Sequence, residues 1–218
     1  MITLIHTAKG EMKKVIGKYV IAREIGLELK RIFSAVVIIF LLMGSSSSTN
    51  PEMAVPVSQQ LPLFFKIFPF DRNFKSKLKD ELSICVVFQK NYRESVLAKN
   101  EFLELGTSSY SNYGAYKVRY KSVSIETIEE LDNYLSKNTV NVLYVAPLRA
   151  INISRIGELT SERRILSITG IPSYVDAGVS VGIDIKGEKP HIRINISQAK
   201  SENVDFSSQL LKLATVIE

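Results

Sequence analysis

The chain has no tryptophan, one cysteine and two histidines in 218 residues, and each scarcity excludes something. A lone cysteine closes no internal disulfide, so the fold must be held by its core. That residue, Cys85, sits in the apolar strand pattern Leu82-Ser-Ile-Cys-Val-Val-Phe88, where it reads as a small buried hydrophobe. His6 and His191 lie far apart, which leaves a histidine metal site or a Ser-His-Asp triad with His191 alone. His191 opens an amphipathic strand on its polar face and reads as an exposed bystander. There is no Walker-type phosphate loop; Gly170, Gly178, Gly182 and Gly187 read as turn and strand glycines. Glu126, Glu129 and Glu130 read as a solvated helix face, and nothing in the spacing of Asp176 and Asp184 demands an acid–base pair. The expectation is therefore a protein with no catalytic residue, no metal site and no cofactor.

Charge of one sign is also scarce outside one region. The net charge of +6 and pI near 9.3 invite a nucleic-acid reading. Residues 1–47, however, hold seven basic and three acidic side chains, leaving 21 basic against 19 acidic in the rest. Tyr110, Tyr113, Tyr116 and Tyr120 interleave with Lys117, Arg119 and Lys121 like a stacking platform for single strands. An edge strand protected by lysines is the commoner explanation, so nucleic acid is not an expected partner.

Long hydrophobic runs are missing too. The longest, Ile32 to Met43, is a dozen residues, whereas a spanning helix needs about 20. Lysines and arginines precede it, and Gly44 and four serines follow it, which reads as an export signal over 1–48 or, alternatively, an uncleaved anchor. Met12-Lys-Lys looks like an internal start. No cysteine follows the run, so a lipoprotein anchor is not expected. The leader predicts an exported protein.

Residues 49–56 form a linker rich in proline and polar residues, and 57–218 read as one domain. Val57–Phe70 is strongly apolar, but Pro62 and Pro69 bracket any helix there to a short stretch; a membrane-surface contact is the alternative. Leu82–Phe88, Val140–Ala146 and Ile165–Ile168 are continuous apolar runs, as strands buried on both faces would be. Between them, Asn91–Leu105 is helical in composition, Tyr116–Lys121 alternates as a strand with one wet face, and Ser124 can cap a helix carrying Ile125, Ile128, Leu131 and Leu135. Ile153, Ile156 and Leu159 mark another helix. Val179–Lys186 and Ile192–Ser197 alternate around a turn at Gly187–Pro190, which makes an antiparallel hairpin. Ser207 caps a closing helix ending near Ala214. The sum is a three-layer α/β domain with a mixed sheet.

Ile194-Asn-Ile196, Ala199 and Phe206-Ser-Ser-Gln-Leu-Leu-Lys-Leu-Ala214 resemble the closing signature of the YfiR/HmsC-like family. Val142-Leu-Tyr-Val145, Ile165-Leu-Ser-Ile168 and the Tyr174–Gly182 loop fall in that family's order, and 57–70 resembles its opening helix. The resemblance implies a periplasmic regulator that restrains a membrane-bound diguanylate cyclase, an enzyme of cyclic-di-GMP signalling, by contacting its periplasmic part, with an outer-membrane protein as a further partner. Homodimerisation stays open. The paired cysteines of well-known members are absent, so disulfide redox sensing is not carried over, and Ala177 stands where a second glycine is common. A periplasmic small-molecule binder serving a sensor or transporter is the competing expectation. A partner surface must come from loops or wet faces, and the candidates are Tyr174, as an amphipathic anchor, with Asp176 and Arg193 beside it.

Overall fold

The computed structural model describes residues 53 and 55–218; the expected export signal over 1–48 and most of the expected linker over 49–56 lie outside them. Asn50–Glu218 cluster as one unit. Its frame is an eight-stranded mixed sheet in the order β2-β3-β1-β4-β5-β6-β7-β8. β1 (Glu81–Phe88), β3 (Tyr116–Ser124), β4 (Val142–Val145), β5 (Leu166–Thr169) and β6 (Val181–Lys186) run parallel. β2 (Asn112–Tyr113) and β7 (Lys189–Asn195) are antiparallel to their neighbours β3 and β6, and β8 (Thr215–Ile217) pairs in parallel with β7. The chain leaves β1 toward β3, then crosses to β4 on the other side. The switch point of this doubly wound order therefore falls between β1 and β4.

The central strands are apolar on both faces because both faces are covered. Leu82, Ile84 and Val86 of β1 join Val142 and Tyr144 of β4 under one helical layer. That layer holds α1 (Val57–Ile67), α2 (Phe74–Lys77), α3 (Arg93–Ser109) and α8 (Ser208–Leu213), which contribute Phe64, Phe74, Phe102 and Leu210. Cys85 and Val87, with Leu143 and Val145, face the opposite layer. There α4 (Ile128–Lys137) brings Leu131 and Leu135, α5 (Ile153–Arg163) brings Ile156 and Leu159, and α6 (Pro172–Asp176) brings Tyr174. α7 (Ile196–Ser201) follows β7 and buries Ala199.

Four expectations need correcting. Pro62 does not end the first helix but lies inside α1, whose Val57, Leu61, Phe64 and Ile67 are all buried on one stripe. An interior proline costs a helix about 3 kcal/mol, and burying that stripe offsets it. The same burial of Phe64 and Phe68 leaves no apolar face there for a membrane surface. Ser124 ends β3 and caps nothing; α4 begins three residues later at Thr127, where the Glu130 carboxylate accepts the backbone N–H of Glu126 (2.5 Å) and Thr127 (3.2 Å). Those bonds hold the exposed Glu130 carboxyl below its ordinary range. Finally, the segment after β5 is not all loop: Pro172 opens the short helix α6. By contrast, Ser207 does cap α8, accepting from the Leu210 N–H.

Candidate partner-binding surface

Only Val181 and Gly182 of β6 pair with β5, at Ile168 and Thr169. Ile183–Lys186 and their partners on β7 therefore continue past the carboxyl edge of the sheet, an overhang of about 13 Å at 3.3 Å per residue. Lys186 pairs with Lys189, so two residues close the turn, and Gly187 supplies its positive φ of 65°. α6 packs beside the root of this hairpin, where Gly182 leaves room: a Cβ there would lie 2.4 Å from a Val175 methyl.

The register fixes what each face of the hairpin carries. Gly182, Asp184, His191 and Arg193 share one face, and Thr215 of β8 joins them. On that face Arg193 reaches Asp176 of α6 at 2.5 Å and Asp184 at 3.6 Å, with about a quarter of its side chain exposed. Its Nε is buried with no partner. His191 Nε2 lies 2.9 Å from the Thr215 hydroxyl. The opposite face carries Ile183, Ile185, Pro190, Ile192 and Ile194. Ile183 and Ile194 are buried, but Ile185 is 47% exposed, as are Val216 of β8 at 40% and Leu213 of α8 at 63%. The hairpin and closing strand thus present charge on one side and unpaired apolar side chains on the other.

Two of the three predicted surface residues, Asp176 and Arg193, are brought together here. Tyr174 is not on the surface. It is buried, and its hydroxyl accepts the Leu148 N–H at 2.8 Å and donates to the Leu148 carbonyl at 3.0 Å. Burial pushes its phenol up to about 12. Tyr174 ties the loop after β4 to α6, and the expectation of an exposed aromatic anchor is corrected accordingly. Asn195 serves the fold: its side chain accepts the Gln198 N–H at 2.9 Å, capping α7, and donates to the Val175 carbonyl at 3.1 Å. Sequence reasoning missed Ile185, Leu213 and Val216. The signal for Ile185 was present, since it is the apolar residue nearest the hairpin turn.

The two edges of the sheet differ in what they leave open. At the switch point, where doubly wound sheets usually bind ligands, the Gln89 amide donates to the Arg149 carbonyl (3.0 Å) and accepts its N–H (2.6 Å). The Arg149 guanidinium lies over the Tyr92 ring at 3.9 Å. These contacts bridge the end of β1 and the loop after β4 across the crevice. At the amino edge of β1 and β4, a cleft of about 280 Å³ is lined by Lys77, Lys79, Asp80, Glu81, Ser83, Thr139 and Asn141. The buried Ser83 hydroxyl there has no protein partner. Among the described residues no group of three His, Cys, Asp or Glu is arranged to hold a metal, and no helix is long and apolar enough to cross a membrane.

This fold is shared with solved structures. A conserved domain protein from Vibrio cholerae O1 biovar El Tor superposes with a TM-score of 0.54 at 13% identity, over 75% of this chain and 60% of that one. A ligand-free, open substrate-binding protein with adhesive properties from Clostridium difficile gives 0.52 at 16% identity, over 75% of this chain and 60% of that one. An ABC domain in complex with L-Trp from Streptococcus pneumonia gives 0.50 at 16%, over 74% and 62%. The chain spans about three-fifths of the length of these proteins, and the likeness concerns the fold. No curated protein matches the chain by sequence. The family model described as YfiR/HmsC-like matches residues 63–215, and the chain belongs to that family.

Proposed function

We propose that this chain is a periplasmic, non-catalytic regulator that restrains a membrane-bound diguanylate cyclase by binding its periplasmic part. Family membership over residues 63–215 carries the reading. The contact surface is the overhanging hairpin with β8: Ile185, Leu213 and Val216 supply apolar area, and the Arg193–Asp176–Asp184 cluster sets register and charge beside it. Truncating or charging an exposed apolar side chain at an interface removes binding energy while leaving the monomer almost untouched. Cells lacking the chain should accordingly hold more cyclic-di-GMP, and Ile185→Asp should reproduce that rise with an unchanged melting temperature. An unchanged dinucleotide level in both strains sinks the proposal.

A second reading, a small-molecule binder, has the amino-edge cleft in its favour, together with the fold it shares with substrate-binding proteins. A thermal-shift screen of small polar solutes separates the two. Stabilisation that Ser83→Val abolishes would favour the binder.

A further inference from the structure

The densest polar cluster in the interior lies outside the partner surface and the cleft. Glu202, just past α7, is fully buried, and its carboxylate sits within hydrogen-bonding distance of five donors from separate parts of the chain. Oε1 is 2.6 Å from the Ser167 hydroxyl, 2.7 Å from the Thr160 hydroxyl and 2.9 Å from the Gln198 amide. Oε2 accepts the Ser167 backbone N–H at 2.9 Å and the Ser180 hydroxyl. The Ser167 hydroxyl and N–H and the Ser180 hydroxyl point at the carboxylate, whereas two donors have other acceptors. The Gln198 amide is also 2.8 Å from the Gly157 carbonyl and 3.0 Å from the Ser161 hydroxyl. Thr160 Oγ1 is also 3.0 Å from the Gly157 carbonyl, so its one proton has two acceptors.

We propose that Glu202 is a proton-binding site, with the Thr160 hydroxyl as the group that reverses when the proton arrives. In the ionised form Thr160 donates to Oε1. When a solvent proton binds Oε1, Thr160 turns to donate to the Gly157 carbonyl and accepts the new O–H. Oε1 then keeps the Ser167 hydroxyl as its donor, and the Gln198 amide turns its protons to the Ser161 hydroxyl (3.0 Å) and the Gly157 carbonyl (2.8 Å), so no buried group is left without a partner.

The surroundings leave the charge weakly supported. α5 offers Thr160, Gly157 and Ser161, β5 offers Ser167, α7 offers Gln198, and the turn before β6 offers Ser180, all neutral. The charged group facing Glu202 is Lys77 of α2, whose ammonium donates to the Glu202 backbone carbonyl at 3.1 Å and lies 3.6 Å from the Asp71 carboxylate behind it. Burial holds the Lys77 ammonium below its ordinary range, against the pull of Asp71 and Glu202. Burial likewise pushes the Glu202 carboxyl above the usual range, opposed by the donors from Gln198, Ser167 and Ser180. A carboxyl raised in the folded state binds its proton more tightly there than in the unfolded chain. Its contribution to stability is thus complete below the ordinary glutamate value near 4.3 and is lost as pH rises through the folded value.

The test is a carbon NMR titration of glutamate-labelled full chain, from the ordinary glutamate value of about 4.3 upward to the highest pH at which the chain stays folded, paired with melting curves. One side-chain carboxyl carbon should titrate above the ordinary range and vanish from the spectrum of Glu202→Gln. The melting temperature of the wild type should fall across the same window, while that of Glu202→Gln stays flat. Ser180→Ala removes a donor that favours the ionised form and should raise the midpoint by about half a unit to one unit. If Glu202→Gln fails to fold, the Ser180→Ala shift carries the assignment. A spectrum in which every glutamate titrates in the ordinary range, or a Ser180→Ala midpoint that does not move, overturns the proposal.

Discussion

Tyr174 and Cys85 are both buried in the same core, between the sheet and one helical layer, and they differ in what depends on them. The Tyr174 hydroxyl satisfies both backbone groups of Leu148, 26 positions away. Tyr174→Phe keeps the ring but orphans a buried N–H, a loss of about 1–3 kcal/mol, whereas Tyr174→Ala adds a cavity and costs about 3–5 kcal/mol. Urea denaturation should rank the two in that order, and a Tyr174→Phe midpoint equal to wild type would sink the account. Cys85 has no such dependants. Burial pushes its thiol up to about 12, with the Tyr134 hydroxyl pulling weakly the other way, so almost no thiolate exists near neutral pH. A thiol reagent at about pH 8 should leave the folded chain unlabelled and react fully in denaturant. The local sequence foretold Cys85, because an unbroken apolar run has only one reading. It could not foretell Tyr174, whose neighbours Ser173 and Asp176 are equally at home on a surface, nor Glu202, set between Ser201 and Asn203 with its donors spread over some forty positions.

At the scale of elements, the overhanging hairpin carries the sharpest expectation. Ile185 is 47% exposed at its tip, so Ile185→Asp should change stability by less than about 0.5 kcal/mol. Arg193→Glu is different: it would place a third carboxylate beside Asp176 and Asp184 and should lower stability by about 1–2 kcal/mol, an effect weakened by salt. Melting curves of the two variants at low and high ionic strength check both statements. The long central strands and amphipathic helices were legible because several side chains agree on one period. β2 and β8 were not, since a strand of two or three residues is defined by its partner and not by its own pattern. Pro62 misled for a related reason: local propensity says stop, and the stripe Val57–Ile67 overrules it only once a sheet lies underneath.

Over the whole molecule, the export expectation for 1–48 is tested by a reporter fused after residue 60, which should be active in the periplasm; cytoplasmic retention would end that reading. A different property follows from how the first and last parts of the domain meet. Asp71 accepts the N–H of Asp205 at 2.9 Å, Arg72 donates to the Asp205 carbonyl, and Ser207 donates to the Phe70 carbonyl. Asp71 and Phe206 form a lone bridge, and the Asp71–Asp205 bond spans 134 positions. A polypeptide emerging from the ribosome amino end first therefore carries α1 and α2 for most of its synthesis with their seam partners still unmade. Closing that seam is a high-contact-order step that must wait until residues 203–207 have been made. Stalled nascent chains ending near residue 195 should be cleaved readily by protease, and release of the final two dozen residues should bring protection all at once. A chain with that seam open is easier to thread through a narrow channel than the sealed domain.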